Sequence, residues 1–217
     1  ENLTSGESGF LAKFDPVTAN LDYFTYVGDN SYTQLYSIFN MDSSGIEILG
    51  TTRMTNFPMI DAFQPVNNAG SIGNNGLYLK FSEQGNLVKS SYIGGIEFYY
   101  FLTAQRFGNE IMIGGRMSNQ RKFCYYLVDT SLNIVKEYKE VDVWNNDGII
   151  YIDRHRNIFT SGRADRGEPW VSQVATPDAF LSTIGQFSSA YYTKYDLNFN
   201  RIWSTFYQGN GGSQLGM

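Results

Sequence analysis

Apolar and polar positions alternate in short runs along most of this chain, and little of it follows a 3.6-residue rhythm. Alternation over about four to eight residues marks half-buried strands, so the pattern predicts an all-β protein without a long helix. Four segments share one form, a strand, a turn with Asp or Asn, then a second strand. They are GFLAKFDPVTANLDYFTYVG (9–28), GLYLKFSEQGNLVKSSYIGG (76–95), FCYYLVDTSLNIVKEY (123–138) and AYYTKYDLNFNRIWSTFYQG (190–209). Lys13, Lys80 and Lys194 align, and Asn20, Asn86, Asn133 and Asn200 each stand just before the second strand.

A second half follows three of them: LYSIFNMDSSGIEILGTTR (35–53), FLTAQRFGNEIMIGGR (101–116) and GIIYIDRHRNIFTSGR (148–163). Each is an apolar run, a polar turn and a short apolar strand ending in Gly or Thr before Arg, which is hairpin chemistry. A full copy therefore holds four strands, called a to d. Strand a begins near Phe10, Leu77, Phe123 and Tyr191, giving spacings of 67, 46 and 68 residues. The shortest suits one β-propeller blade, whose repeats run about 40–50 residues. The longer copies carry insertions between strand d and the next strand a, at 56–75 and 168–189, and both contain Asp-Ala-Phe, at 61–63 and 178–180.

These residues resemble the SBBP-type β-propeller repeat of secreted and surface proteins of bacteria, especially the Bacteroidota. Copy one resembles it through FLAKFDP, TYVG, DSSGIEILGTT, NFP and DAFQ, and copy four through YTKYD and WSTFYQG. Copies two and three are more diverged, and copy three lacks the strand-a lysine. The resemblance covers nearly the whole chain; it implies four-stranded antiparallel blades and an extracellular setting, and a repeat signature of this kind specifies architecture rather than activity.

In this frame the chain holds the end of a strand d at 1–8, blades at 9–75, 76–121 and 122–189, and a partial blade at 190–217. Asn2-Leu-Thr-Ser-Gly6 matches Asn157-Ile-Phe-Thr-Ser-Gly162, so the chain opens inside a strand d and stops early in a strand c. Either the first strand closes a four-bladed ring, or the chain is an arc of a larger propeller. The poor strand character of GGSQLGM favours the arc.

Composition narrows the function. Aromatic residues make up 16% of the 217 and charged residues 17%, with 22 glycines for turns, as strand-rich chains require. The net charge of −5 comes with no basic block to neutralise phosphates, which argues against nucleic acid. No apolar run approaches the ~20 residues of a membrane-spanning helix. The single cysteine, Cys124, excludes an internal disulfide and a cysteine metal cage, and its strand surroundings mark it as a small buried hydrophobe.

Candidate chemistry is sparse. The only histidine, His155, falls at the tip of a c–d turn, where a solvated role outweighs a catalytic one. Among carboxylates, Asp61 and Asp178 occupy matching places in two copies, which repetition explains without catalysis, and Asp165 and Glu168 are the other candidates. Asp29-Asn30-Ser31 and Asn145-Asn146-Asp147-Gly148 offer oxygens for calcium but form no D-x-D-x-D-G loop. No catalytic set, metal cluster or cofactor motif is expected. Arg53, Arg116 and Arg163 each stand five residues after an aligned isoleucine (Ile48, Ile111, Ile158), with Glu7 in the fourth place. They read either as a charged patch for a carboxylate or protein partner, or as structural charges paired with acidic turns, the commoner outcome. Tyr99, Tyr100, Trp144 and above all Trp170, in a long insertion, could form a sugar or peptide platform, whereas Trp203 reads as packing between blades. The expectation is a non-catalytic binding or scaffolding module of a secreted or cell-surface bacterial protein. Its partner would be protein: another part of a longer chain, or an outer-membrane or secretion complex. The alternative is a carbohydrate-binding or carbohydrate-active propeller that uses the long loops.

Overall fold

The computed structural model describes residues 7–29, 31–70, 73–94, 99–117, 122–129, 131, 133–139, 149–167, 169–185, 187–196, 198 and 200–208. The matches made at 1–6 and 209–217, and Trp144 with 145–148, lie outside them. Within them the chain is all-β apart from a short 3-10 turn at Pro169–Gln173. An antiparallel hairpin, β1 (Gly9–Phe14) with β2 (Leu21–Val27), comes first. Three four-stranded antiparallel sheets follow, each a simple meander. Sheet I is β3 (Thr33–Asp42), β4 (Gly45–Thr52), β5 (Asn75–Phe81) and β6 (Leu87–Ile93). Sheet II is β7 (Tyr99–Phe107), β8 (Glu110–Met117), β9 (Lys122–Asp129) and β10 (Ile134–Lys139). Sheet III is β11 (Ile149–Ile152), β12 (Ile158–Ala164), β13 (Ser189–Tyr195) and β14 (Arg201–Tyr207).

The sheets are phased differently from the repeat frame. Each joins strands c and d of one copy to strands a and b of the next, so the limits at 75/76, 121/122 and 189/190 fall inside sheets. The long insertions thus connect two paired strands of one sheet, and they return along its outer edge. Ser90 N–H donates to the Ile60 carbonyl (2.9 Å) and Tyr92 N–H to that of Gln64 (3.2 Å), while the Ser90 and Ser91 hydroxyls accept from Ile60 and Gln64 N–H. Sheet III repeats this: Phe206 N–H donates to the Leu181 carbonyl (3.0 Å), and the Thr205 hydroxyl accepts from Leu181 N–H (2.9 Å). Gln64 and Leu181 directly follow the two Asp-Ala-Phe tripeptides. The tripeptide therefore belongs to a device that covers an outer strand whose free N–H and C=O groups would otherwise invite foreign pairing. Sheet II lacks the insertion. Where β6 has Ser90 and Ser91, β10 has Glu137 and Tyr138, and Lys136 and Glu137 put charge on that edge instead.

One turn serves several hairpins. Asp129 accepts through Oδ1 from the N–H groups of Ser131 (2.8 Å) and Asn133 (2.9 Å), and the Asn133 amide donates to its other oxygen (2.9 Å). Asp153 with His155 and Asn157, and Asp196 with Asn198 and Asn200, repeat the arrangement. The asparagines aligned in the sequence at 133 and 200 thus lock their turns. Asn133 and Asn200, through their side chains first and then their backbone N–H groups, hold the carboxyls of Asp129 and Asp196 below the usual carboxylate range. A carboxyl depressed in the folded state stabilises it above the unfolded pKa, about 3.9, and that contribution fades as pH falls through the folded value. Urea titrations at stepped pH should therefore show stability falling below about pH 4. The double change Asp129→Asn and Asp196→Asn should flatten part of that limb; an unaltered limb would mean these turns do not set it.

The sheets stack face to face in chain order. Leu11 and Val27 of the hairpin join Ile46, Ile48, Leu77, Leu79 and Phe81 of sheet I. Leu49, Tyr78 and Ile93, on the opposite side of sheet I, join Ile111, Ile113, Cys124, Tyr126 and Val128 of sheet II. Met112 and Tyr125, on the far side of sheet II, join Ile152, Ile158 and Tyr195 of sheet III. Each sheet thus has a rear face toward the preceding sheet and a forward face toward the next. β4 is consequently buried at all eight positions, whereas β12 alternates between buried and half-buried.

Candidate interaction surfaces

Pairing register decides the arginine series. Arg163 pairs with Ala190 and Arg116 with Phe123; the equivalent pair in sheet I is Thr51 with Gly76. Arg116 and Arg163 therefore share one level, and Arg53 lies beyond the end of β4. The isoleucine that corresponds to Ile111 and Ile158 is Ile46, paired with Phe81, rather than Ile48. Arg53 donates from Nε to the Asn74 side chain (2.8 Å) and its guanidinium lies 4.8 Å from the centre of the Tyr32 ring. Arg163 binds Asp165 (2.8 Å) and the Ser188 hydroxyl (3.1 Å). The Ser188 hydroxyl, and then Arg163, hold the Asp165 carboxyl below its usual range against the opposing effect of burial. Both arginines are engaged by their own sheet's loops, and the side chains of Arg116, Trp170, Tyr99 and Tyr100 lie outside the described residues. Glu7 lines an open cleft of about 700 Å³ with Phe10, Gln34, Leu35 and Tyr36, where it accepts from the Gln34 amide (3.2 Å).

The remaining candidates are dispersed. His155 is exposed in the β11–β12 turn and its Nε2 accepts from Arg154 (3.2 Å). Asp61 and Asp178 are exposed on the insertions of sheets I and III, with sheet II between those sheets, and Cys124 is buried. Among the described residues no group of three His, Cys, Asp or Glu side chains could hold a metal ion, and no helix is long and apolar enough to cross a membrane.

Two features escaped the sequence. The first is a buried ion pair between sheets. Glu47 on the forward face of sheet I is 2% exposed and accepts from Nε (2.8 Å) and Nη2 (2.5 Å) of Arg106 on β7 and from the Tyr78 hydroxyl (2.8 Å). Burial, then the Glu47 charge, pushes the Tyr78 hydroxyl well above the ordinary tyrosine range, so it stays a donor. Arg156 of sheet III reaches Glu110 of sheet II in a more exposed pair (2.7 Å).

The second is an open aromatic face at each end of the stack. On sheet III, Tyr151, Phe159, Lys194 and Trp203 form one rung across all four strands. Ring centroids are 6.5 Å apart for Tyr151 and Phe159 and 6.4 Å for Phe159 and Trp203, with the Lys194 ammonium 5.6 Å from the centre of the Phe159 ring. Tyr192 and Tyr207 extend the face edge to face, and Tyr151 and Tyr207 are 59% and 60% exposed. On the hairpin, Phe10 stacks on Phe24 (5.5 Å), which meets Tyr26 edge-on (5.0 Å), and Phe10 is 62% exposed. Register alone could have located Trp203 here, since it pairs with the lysine of strand a.

No protein-family model matches the chain, and no curated protein matches it in sequence. Among solved structures it is similar to the acylaminoacyl peptidase of Pyrococcus horikoshii, at 10% identity over 81% of this chain and a TM-score of 0.42. The chain spans about a quarter of that protein's length.

Proposed function

We propose that the chain is a non-catalytic protein-interaction module, built of β-propeller blades, from a secreted or cell-surface bacterial protein. The observation that carries the reading is the pair of open aromatic faces: contiguous exposed rings of this kind are the chemistry of protein contact rather than of a solvated surface. The radial arrangement of blades is supported by the contacts of β7 with β3 and of β11 with β7, which bring strands c of successive sheets side by side. The bacterial and extracellular setting rests on the SBBP-like motifs. Against the carbohydrate alternative, both long insertions are committed to covering outer strands, and their carboxylates stand on separate sheets.

A photo-reactive phenylalanine analogue at Tyr151 or Phe24, in the protein expressed in its own host, tests the reading. Cross-links to polypeptide are expected, and Asp61→Ala and Asp178→Ala should leave their yield unchanged. Hydrolysis of glycosides that depends on Asp61 or Asp178, or glycan binding in place of protein cross-links, would overturn it.

A further inference from the structure

Arg53 is an exposed arginine held from three directions, with its outer edge unclaimed. One step beyond the last pairs of β4, Thr33 with Thr52 and Thr52 with Asn75, the chain sets Arg53 between Tyr32 and Asn74. Its backbone N–H donates to the Tyr32 carbonyl (2.9 Å). The next residue, Met54, donates its N–H to the Thr52 hydroxyl (3.0 Å), and its carbonyl accepts from the Asn67 amide (2.9 Å) and the Tyr92 hydroxyl (2.8 Å). The guanidinium lies over the Tyr32 ring, and its Nε donates to Asn74. Asn74 is 0% exposed, and its own amide N–H groups find no acceptor. A buried amide left half satisfied is an exception in folded proteins, and the satisfied half here is the one that aims Arg53. Nothing among the described residues accepts from Nη1 or Nη2 of Arg53.

The same step on sheet III is occupied differently. Arg163 with Ala190 corresponds to Thr51 with Gly76, so Asp165 and Ser188 stand where sheet I has Arg53 and Asn74. There one strand end supplies both charges, and Arg163 and Asp165 neutralise each other. On sheet I a threonine replaces the arginine and an arginine replaces the acid, which leaves a cation without its counter-ion. Asp29, on the connection that leads to Tyr32, is turned to the Ser31 N–H (2.7 Å) and makes no ion pair with Arg53. We propose that Arg53 is a carboxylate-binding site, and that the carboxylate belongs to a partner polypeptide. The inference rests on the interaction-module reading and names the chemistry of one contact. A guanidinium donates along its Nη edge through two parallel N–H groups, which match the two oxygens of a carboxylate. With Nε bonded to Asn74 and the plane fixed on Tyr32, that edge is oriented before a ligand arrives. Less side-chain freedom is therefore lost on binding than at an ordinary surface arginine. One positive charge balances one carboxylate, whereas a phosphate dianion would be left half neutralised.

Arginine side-chain NMR of the nitrogen-labelled 217-residue chain reads the site directly, with the Arg53 resonances assigned by their loss in Arg53→Lys. The probes are N-acetylglutamic acid amide, with a side-chain carboxylate, and N-acetylglycine, with a chain-terminal one. N-acetylglutamine amide is the neutral control, and inorganic phosphate is the competing anion. Arg53 should saturate with a carboxylate probe at a concentration about tenfold or more below that needed at Arg166, which is exposed in a turn of sheet III. The tighter of the two carboxylates says whether the partner presents a side chain or its C-terminus. Asn74→Asp supplies an internal counter-ion, as Asp165 does on sheet III, and should abolish the response. Tyr32→Leu should bring Arg53 to the level of Arg166, and the titration of the unaltered chain stands whether or not either variant folds. Saturation of Arg53 no earlier than Arg166, tighter binding of phosphate than of both carboxylates, an equal response to the neutral control, or an undiminished response in folded Asn74→Asp would each overturn the proposal. Any of these, with Tyr151 and Phe24 still cross-linking to polypeptide, would remove the site and leave the interaction-module reading in place. Carboxylate binding at Arg53 without such cross-links would instead remove that reading, and with it the polypeptide as the source of the carboxylate.

Discussion

Replacing Arg106 by Met should destabilise the protein by about 3–5 kcal/mol, the usual cost of leaving one charge of a buried pair without its partner. Glu47 would retain only the Tyr78 hydroxyl in a site 2% exposed. The instructive variant is the one that removes the polar group as a whole. One interface further along, Met112 stands in the place of Glu47 and Ile152 in the place of Arg106, and both belong to one apolar cluster. Carrying that solution back, as Glu47→Met with Arg106→Ile and Tyr78→Phe, should bring stability to within about 1 kcal/mol of the parent, because apolar replacement of a whole buried pair is commonly neutral or favourable. Urea midpoints of the single and triple variants settle it. If the triple variant stays as unstable as Arg106→Met, the two sheet junctions are not equivalent in the way their register implies. The ion pair then has a further use in fixing which sheet follows which, since an aliphatic strand cannot satisfy Glu47.

The hairpins and their turns were legible because the local chemistry that makes them is local in sequence. Asp129 and Asn133, or Asp196 and Asn200, lie four residues apart and close their own turns. The phase of the sheets was not legible. Strands d and a are separated by the longest loops in sheets I and III, and a long loop reads as a boundary. The physical boundary is instead the short connection from Gly28 to Tyr32, where β2 leaves one sheet and β3 begins another. The arginine register failed for a reason intrinsic to strands: Ile46 and Ile48 lie two apart and project to the same side, so hydrophobic pattern cannot choose between them. Only the pairing of Ile46 with Phe81 does. Glu47 and Arg106 are 59 residues apart on different sheets, beyond any spacing rule.

Gly50→Ala is expected to cost about 3 kcal/mol or more, the upper end of overpacking in a tight interior. Gly50, Gly115 and Gly162 occupy one register on β4, β8 and β12, paired with Leu77, Cys124 and Tyr191. A methyl group on Gly50 would stand 2.3 Å from the backbone carbonyl oxygen of Gln34 on β3 and 3.0 Å from a Leu35 methyl. The carbonyl belongs to the neighbouring strand of the same sheet, so relief requires β3 to move, and β3 packs on one side against the hairpin and on the other against β7. At Gly162 the obstruction is different: the Tyr191 ring and hydroxyl lie 2.7–2.8 Å from the added carbon, and a ring end can tilt where a strand cannot. Gly162→Ala should accordingly cost less, about 1–2 kcal/mol, and should disturb the near-ultraviolet signal of the tyrosines more than the far-ultraviolet signal of the strands. Thermal and urea unfolding of the two variants side by side give the comparison. Equal losses would mean that β3 yields as readily as a side chain, and that the close approach of strands c and d is not what holds glycine at this position.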